Sequence, residues 1–443
     1  MSASRGPEAA VTPARRDRYI DLLRAASICV VVLGHWAVWD VWVDDDGLRG
    51  TNLLSVASWT HPVTWLFQVV PVFLLVGGYA NAASLAAQRR KGRDTASWVR
   101  QRALRLLRPS VVFIAVLLGV RLVAVPLGFA EEPVRAAIWL AAGPLWFLVV
   151  YLAVVVLAPV AEAAHRRWGL RVLVVLVAGV LIGDLLRLAS GHVEAAGANF
   201  LFAWGAVHQA GIAWRDGALP RTKAGAWVLI GGGLAMALLL TGPGPYGVAM
   251  VGAATAPDLT NTAPPTIALL ALATAQTGVV LLARGPVTSW LARPRVWTGV
   301  VALNSVILTV FLWHMTALMI AFVTLGRPGL FPQPPVGSGE WLALRIPWLA
   351  VFAVVLAGLV ALMGRWERPL RRDAEDRASP RGVGVGVVGV LAGLASLGLS
   401  DTRGFAPQVA GIPVVELALI AGGLVVLTRA GRGGPRPHPD AQG

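Results

Sequence analysis

The sequence predicts an all-α fold, a polytopic bundle of transmembrane helices, and three observations carry that prediction. Of the 443 residues, 56% are hydrophobic and 14% are charged. Apolar runs of about 20 residues, the length that spans a bilayer, recur along the chain. The basic residues behind the net charge of +15 gather in short segments between those runs. That placement fits the positive-inside rule and anionic lipid headgroups, so membrane lipids are the expected partners and nucleic acid is not. The single cysteine, Cys29, excludes an intrachain disulfide and a cysteine-based metal site, and its place between Ile28 and Val30 suits a packing residue.

Residues 1–16 contain Ala, Pro and Arg and are expected to form a disordered cytoplasmic N-terminus, kept inside by Arg15, Arg16 and Arg18. The first span covers 17–42, with Trp36, Trp39 and Trp42 suited to the outer interfacial belt and Asp44, Asp45 and Asp46 in a solvated loop beyond it. The second covers about 62–85, where Gly77-Gly78 allows either a close helix approach or a local break. The most basic stretch follows, from Arg89 to Arg108, and ends at Pro109. The third to seventh spans are expected at about 110–129, 138–161, 172–189, 199–214 and 224–240, with Glu131 and Glu132 outside. A Gly/Pro-rich outer loop at 241–265 places Asp258, Asn261 and Thr262 to line a cavity mouth. The eighth to tenth spans lie at about 266–283, 300–323 and 342–364.

Residues 17–364 thus form a ten-span core. A basic cytoplasmic linker at 365–381, two additional transmembrane segments within 382–428 and a disordered cytoplasmic tail at 429–443 complete the chain. The expected location is the cell (plasma) membrane, with both termini cytoplasmic.

The first span holds three groups that a plain lipid anchor would avoid: Asp21, Arg24 and His35. Spacings of three and eleven residues put them on one helical stripe, Arg24 and His35 being about 16 Å apart at about 1.5 Å per residue. An ionisable group inside a span costs about 2–3 kcal/mol or more and marks a functional candidate. The plainer reading has Arg24 snorkelling to phosphates and His35 in a helix–helix hydrogen bond. Arg102, Arg105 and Arg108 recur every three residues along one helical side, the arrangement that guanidinium forks need to grip a phosphorylated ligand. His314 lies in the ninth span with Asn304, whereas His61 and His208 read as structural.

A pore basic at its cytoplasmic mouth, with an imidazole deep inside, matches the shape of acyl-CoA. Its anionic nucleotide would sit at the mouth and its thioester would reach inward, where His35 takes a proton from an attacking hydroxyl. His314 would orient His35, bind the carbonyl oxygen, or be a satisfied core histidine.

These residues resemble the acyltransferase-3 family of integral-membrane acyltransferases. The resemblance rests on Asp21, Arg24 and His35 within IDLLRAASICVVVLGHW, on PVFLLVGGYAN, on QRALRLLRP and on GPLWFL, in that order, and covers roughly residues 18–368. It implies transfer of an acyl group, commonly acetyl, from cytoplasmic acyl-CoA (acetyl-CoA as co-substrate, with no metal) to a hydroxyl of an extracytoplasmic glycan, lipid or natural product. It also implies that His35 is catalytic and that Arg24, Arg102 and Arg105 bind or position acyl-CoA. Many members have Ser-Gly where this chain has Gly77-Gly78, and the two C-terminal segments exceed the ten-span core. The rival reading is a transporter or flippase of a small anionic or glycolipid substrate, against which stands the lack of an internal repeat. A non-enzymatic membrane anchor or sensor is a third.

Overall fold

The computed structural model describes residues 17–44, 47–252, 259–326, 330, 332–367, 377–399 and 412–431. The order is α1 (Arg18–Val38), β1 (Trp39–Asp44), β2 (Gly47–Asn52), α2 (Leu53–Val56), a 3-10 turn (Ser58–Val63), α3 (Thr64–Phe67), α4 (Val70–Arg90), α5 (Thr95–Ala124), α6 (Glu131–Ala142) and α7 (Leu145–Trp168). Then come α8 (Arg171–Ser190), α9 (Asn199–Asp216), α10 (Lys223–Thr241), α11 (Ile267–Trp290), α12 (Pro294–Ala321), α13 (Gly339–Glu367), α14 (Pro380–Leu399) and α15 (Val414–Arg429). Helix starts follow local chemistry: Asp17, Asp94, Thr222 and Thr266 each accept a backbone N–H of the first turn through the side chain.

The chain is an all-α multi-pass bundle, and among the described residues ten helical stretches are long and apolar enough to cross a membrane. Nine of them match the expected core spans and the tenth is α14. The sixth expected span, α9, is too polar to qualify, with Asn199, His208 and Gln209 buried in it. The last, α15, is 16 residues long and too short.

Several boundaries differ from the sequence expectation. The first span stops at Val38, because the chain from Trp39 to Asp44 pairs as an antiparallel hairpin, Trp39 opposite Asn52. Trp36 is not a belt residue; it is 3% exposed and donates its indole N–H to the His314 carbonyl at 2.9 Å. The second span begins at Val70 rather than Pro62, which sits inside the 3-10 turn. The basic row and the third span form one continuous helix, α5, running through Pro109. Of the acidic run at 44–46 only the backbone of Asp44 is described; Asp258 and His438 lie outside the described residues.

Helix α1 is the seam of the bundle. Tyr19 and Ile20 at its start join an apolar core shared by α4, α8, α9 and α11, while Ile28, Val32 and Trp36 further along join a second core built by α5, α7, α12, α13 and α14. Its first turn is pinned by charge. Asp17 pairs with Arg284 at 2.6 Å and accepts the Tyr79 hydroxyl at 3.1 Å, and the Tyr19 hydroxyl donates to the Val280 carbonyl at 2.7 Å. Beyond its last turn, Asp40 of β1 accepts from Arg345 at 3.1 Å and from the Trp341 indole at 2.7 Å, both on α13. Arg345 and Asp40 are buried, and the guanidinium stacks over Trp341 at 4.0 Å.

Gly77 and Gly78 do not break α4; they let it approach α9, and a Cβ on Gly78 would collide with the His208 carbonyl. Helices α14 and α15 pack on each other and dock on α5 and α7. Arg100 is spent holding them there, donating to the Leu427 and Thr428 carbonyls at 2.8 and 3.0 Å, while Asp94 accepts the Ala378 N–H at 3.0 Å.

Two stability predictions follow from these contacts. Gly78→Leu overpacks the α4–α9 crossing and is expected to destabilise the protein by about 1–3 kcal/mol or more, seen as a lower melting temperature in detergent. Asp40→Ala, which strands a buried guanidinium, is expected to cost about 3–5 kcal/mol, and adding Arg345→Leu to it recovers most of that loss because an apolar pair needs no compensation. A double variant that melts no higher than Asp40→Ala alone would show that the pair does not act as a unit.

Candidate functional site

Two groups of polar residues sit on α1, one near each end. The far group centres on His35, one helical turn before the end of the helix. Its Nδ1 lies 2.7 Å from Nε2 of His314 on α12, with the rings nearly parallel at 6°. Nδ1 of His314 lies 2.6 Å from the Phe311 carbonyl oxygen.

These two distances determine where the protons are. A carbonyl oxygen only accepts, so Nδ1 of His314 carries a hydrogen and donates it. In neutral His314 the other nitrogen, Nε2, is then an acceptor, so His35 must donate from its own Nδ1. The remaining nitrogen of His35, Nε2, is left with a lone pair. The backbone of α12 therefore orients a basic nitrogen through two imidazoles. The pair is held from outside by the Trp36 indole on the His314 carbonyl, and His314 is 0% exposed.

His35 lines a cavity of about 700 Å³ at the end of the bundle away from the N-terminus. The cavity runs along α1 from Ser27 to Val38 and past Trp39 of β1, and is closed by the start of α7, by Thr262 and its neighbours in the α10–α11 loop, and by Arg345. Thr262 thus lines the cavity as expected; Asn261 instead ties the loop together, donating to the Gly247 and Ala249 carbonyls. Asp21, Arg24, Arg102, Arg105 and Arg108 do not line it.

Those five residues make up the near group. Asp21 is buried, 3.7 Å from Arg24 through its carboxylate, and its backbone carbonyl accepts from Asn304 at 2.9 Å. It lies about 21 Å from His35 at about 1.5 Å per residue, so it serves the arginines rather than the imidazole. Arg102 stacks over Trp98 at 5.3 Å and feels the like charges of Arg24 and Arg105, with Tyr151 beside it. Arg108 is half-buried one turn further along α5 and Arg105 is exposed. Among the described residues no carboxylate pairs with Arg102, Arg105 or Arg108. The result is a knot of uncompensated positive charge three residues along α1 from the cavity floor at Ser27.

The structure thus brings His35 to His314, and Arg24 to the neighbourhood of Arg102 on α5, and keeps His35 and Arg24 at different depths on one helix. His61, which contacts the Leu54 carbonyl at 2.9 Å, and His208, which contacts Asn81 at 3.1 Å, hold the fold. Sequence reasoning missed Arg345 and its partner Asp40. A lone arginine inside an apolar run was the available signal, the same one that singled out Arg24.

A family model described as an acyltransferase domain matches residues 17–364. No curated protein and no solved structure matches the chain. The matched region contains both polar groups, the cavity and every helix up to α13, while α14 and α15 lie beyond it. The chain belongs to the acyltransferase-3 family and is a multi-pass membrane acyltransferase.

Proposed function

We propose that the protein is an O-acyltransferase that moves an acyl group, acetyl in the first instance, from cytoplasmic acyl-CoA to a hydroxyl on the other side of the membrane. The observation that carries this reading is the hydrogen-bond chain from the Phe311 carbonyl through His314 to His35, which leaves one basic nitrogen facing a cavity. A base so held has one job available to it: accepting a proton from a group delivered into that cavity.

In this reading the acceptor hydroxyl gives its proton to Nε2 of His35 as its oxygen bonds to the thioester carbonyl carbon. The tetrahedral intermediate then collapses, the carbon–sulfur bond breaks, and the proton passes to the departing thiolate. Ester and free CoA are the products, with no net proton gained or lost by the protein. His314 is a positioning residue: its Nε2 accepts from His35 and steadies the imidazolium while it exists. The near group supplies the anion site. Arg24, Arg102 and Arg105 converge from two helices without carboxylates to cancel Arg102 and Arg105, which suits the phosphates of the nucleotide end. Arg108 and Asp21 flank that site, Asp21 by holding Arg24. The N-terminal end of α1 then faces the cytoplasm, and the cavity faces the far side of the plasma membrane.

The decisive experiment supplies acetyl-CoA labelled on the acetyl group to purified protein with an envelope and metabolite extract, and follows label and free CoA by mass spectrometry. Label entering an ester with wild type but not with folded His35→Ala is the expected result. Absence of CoA release with every acyl chain tried, from a folded protein, would point to transport instead.

Variants at two positions refine the roles. His314→Ala is expected to lower kcat by about 10²-fold or more with little change in KM for acyl-CoA, and His314→Gln to recover part of the loss because its amide oxygen still accepts from His35. Equal kcat in both variants would make His314 a packing residue. Arg102→Ala is expected to raise KM for acyl-CoA about tenfold, the loss of one charge-assisted contact, and to weaken its salt dependence. An unchanged KM with altered acceptor preference would remove Arg102 from the donor side.

A further inference from the structure

The walls of the His35 cavity have little hydrogen-bonding capacity to offer a ligand. The Ser27 hydroxyl donates to the Leu23 carbonyl at 2.8 Å, Thr60 to Ala57 at 2.6 Å and Thr64 to His61 at 2.5 Å. Gln68 is engaged at both ends, donating to the Met250 carbonyl and accepting the Val70 N–H. The charge of Arg345 is cancelled by Asp40. The remaining polar groups on the lining are His35, the side chains of Asn52 and Thr262, and the indole N–H groups of Trp39, Trp59 and Trp146, while the Arg345 Nε is buried. The rest of the lining is aromatic and aliphatic, including Phe73, Trp146, Phe147 and Phe200. A glycan carrying many hydroxyls would lose its water there and find too few groups to replace it.

The mouth has the same character. Trp59, Val63 and Phe67 line the cavity and are also 63%, 43% and 39% exposed. With Val56 and Leu66 they form one apolar face of the segment from α2 to α3, while Ala57, Thr60, Thr64 and Gln68 on the other face are buried. With its other face buried in the protein, this exposed apolar face of a membrane bundle is accommodated by lipid. A mouth framed by its apolar edge opens into hydrocarbon rather than water.

From these two features, and resting on the acyl-transfer reading above, we infer that the acceptor is a membrane-dissolved alcohol. It is a largely apolar molecule with a hydroxyl, which enters sideways past Trp59, Val63 and Phe67 and presents that hydroxyl to His35. Its chain occupies the aromatic cavity, and the wall chemistry excludes free polysaccharide as the group that docks there. The ester formed is more apolar than the alcohol and leaves by the same lateral route.

The test needs no acyl donor. The purified full chain, reconstituted in lipid nanodiscs, is irradiated with a diazirine-bearing analogue of hexadecanol, and labelled peptides are mapped by mass spectrometry. The label is expected on the segments around Trp59 to Phe67 and Val31 to Val38, displaced by excess hexadecanol but not by maltotriose. Val63→Trp, which fills the mouth, should reduce cavity labelling by at least about tenfold, while Leu66→Trp on the lipid side of the same segment leaves it unchanged. Both variants are compared at wild-type melting temperature, and Phe67→Trp replaces Val63→Trp if the latter melts early. Cavity label that maltotriose displaces, or no displaceable label on those segments, overturns the proposal. Because labelling is independent of CoA, its failure leaves acyl transfer standing, and absence of CoA release with labelling intact overturns the acyl-transfer reading alone.

Discussion

The hydrogen bond from Nδ1 of His314 to the Phe311 carbonyl is short, local and entirely within α12, yet the candidate site depends on it. It is an ordinary helix feature turned to use: a side chain reaching back one turn to a backbone oxygen that can only accept. Once that proton is committed, the neutral pair has one arrangement, and the basic nitrogen of His35 faces the cavity instead of its partner. The packing of α1 on α12 serves this alignment. Trp36 fastens the His314 carbonyl, and Asn304, on the same helix as His314, fastens the carbonyl of Asp21. Both contacts fix the rotation of α1 about its axis, which decides where His35 points.

The two ends of α1 solve opposite electrostatic problems. Near Arg24 no carboxylate among the described residues pairs with Arg102 or Arg105, so an anion gains by arriving. Near His35 the arginine that lines the cavity is neutralised by Asp40, so nothing attracts an ion there. In the proposed reaction a single helix crossing the bundle would offer a charged site to a nucleotide and a neutral one to an apolar alcohol. Reversing the two arrangements would leave a buried unpaired guanidinium in the apolar cavity, which is costly, and a neutral surface where phosphates must bind.

The sequence disclosed what is periodic and local. Asp21, Arg24 and His35 stood out because charges interrupt a span, and Arg102 to Arg108 because they repeat every three residues. Helix count and class followed from run length. The unread parts depend on pairings across the chain. Asp40 and Arg345 are 305 positions apart. In the sequence Arg345 is a lone arginine in an apolar run and Asp40 a lone carboxylate among tryptophans, and nothing local links them before the hairpin forms. Trp36 was misplaced for a related reason, since a tryptophan near a span end suits lipid headgroups and a buried carbonyl equally well. Arg100 sat in the basic stretch with no sign that it reaches α15. The continuity of α5 through Pro109 was masked because a proline usually ends a helix, although here it falls inside the membrane bundle, where neighbouring helices tolerate it.

Placing a base inside a membrane protein raises a difficulty that a pair of histidines eases. A lone imidazole that takes a proton in a dry cavity becomes an isolated cation, and desolvation opposes that change. With His314 behind it, the new charge is shared along the hydrogen bond: His35 holds the proton on Nε2 while Nδ1 stays bonded to its partner. The proton on Nδ1 can also shift to His314, whose far nitrogen is already bonded to a carbonyl oxygen that favours a positive ring. In the proposed reaction the developing oxyanion lies on the other side of His35, so the separated charges attract across a medium that screens them little. The same low dielectric that makes a single buried cation costly therefore stabilises the pair of opposite charges formed in the transition state. An aqueous site would not need the second imidazole, because water would solvate the cation. Here the neutral, aromatic walls exclude water, and the neighbour that replaces it is built into α12.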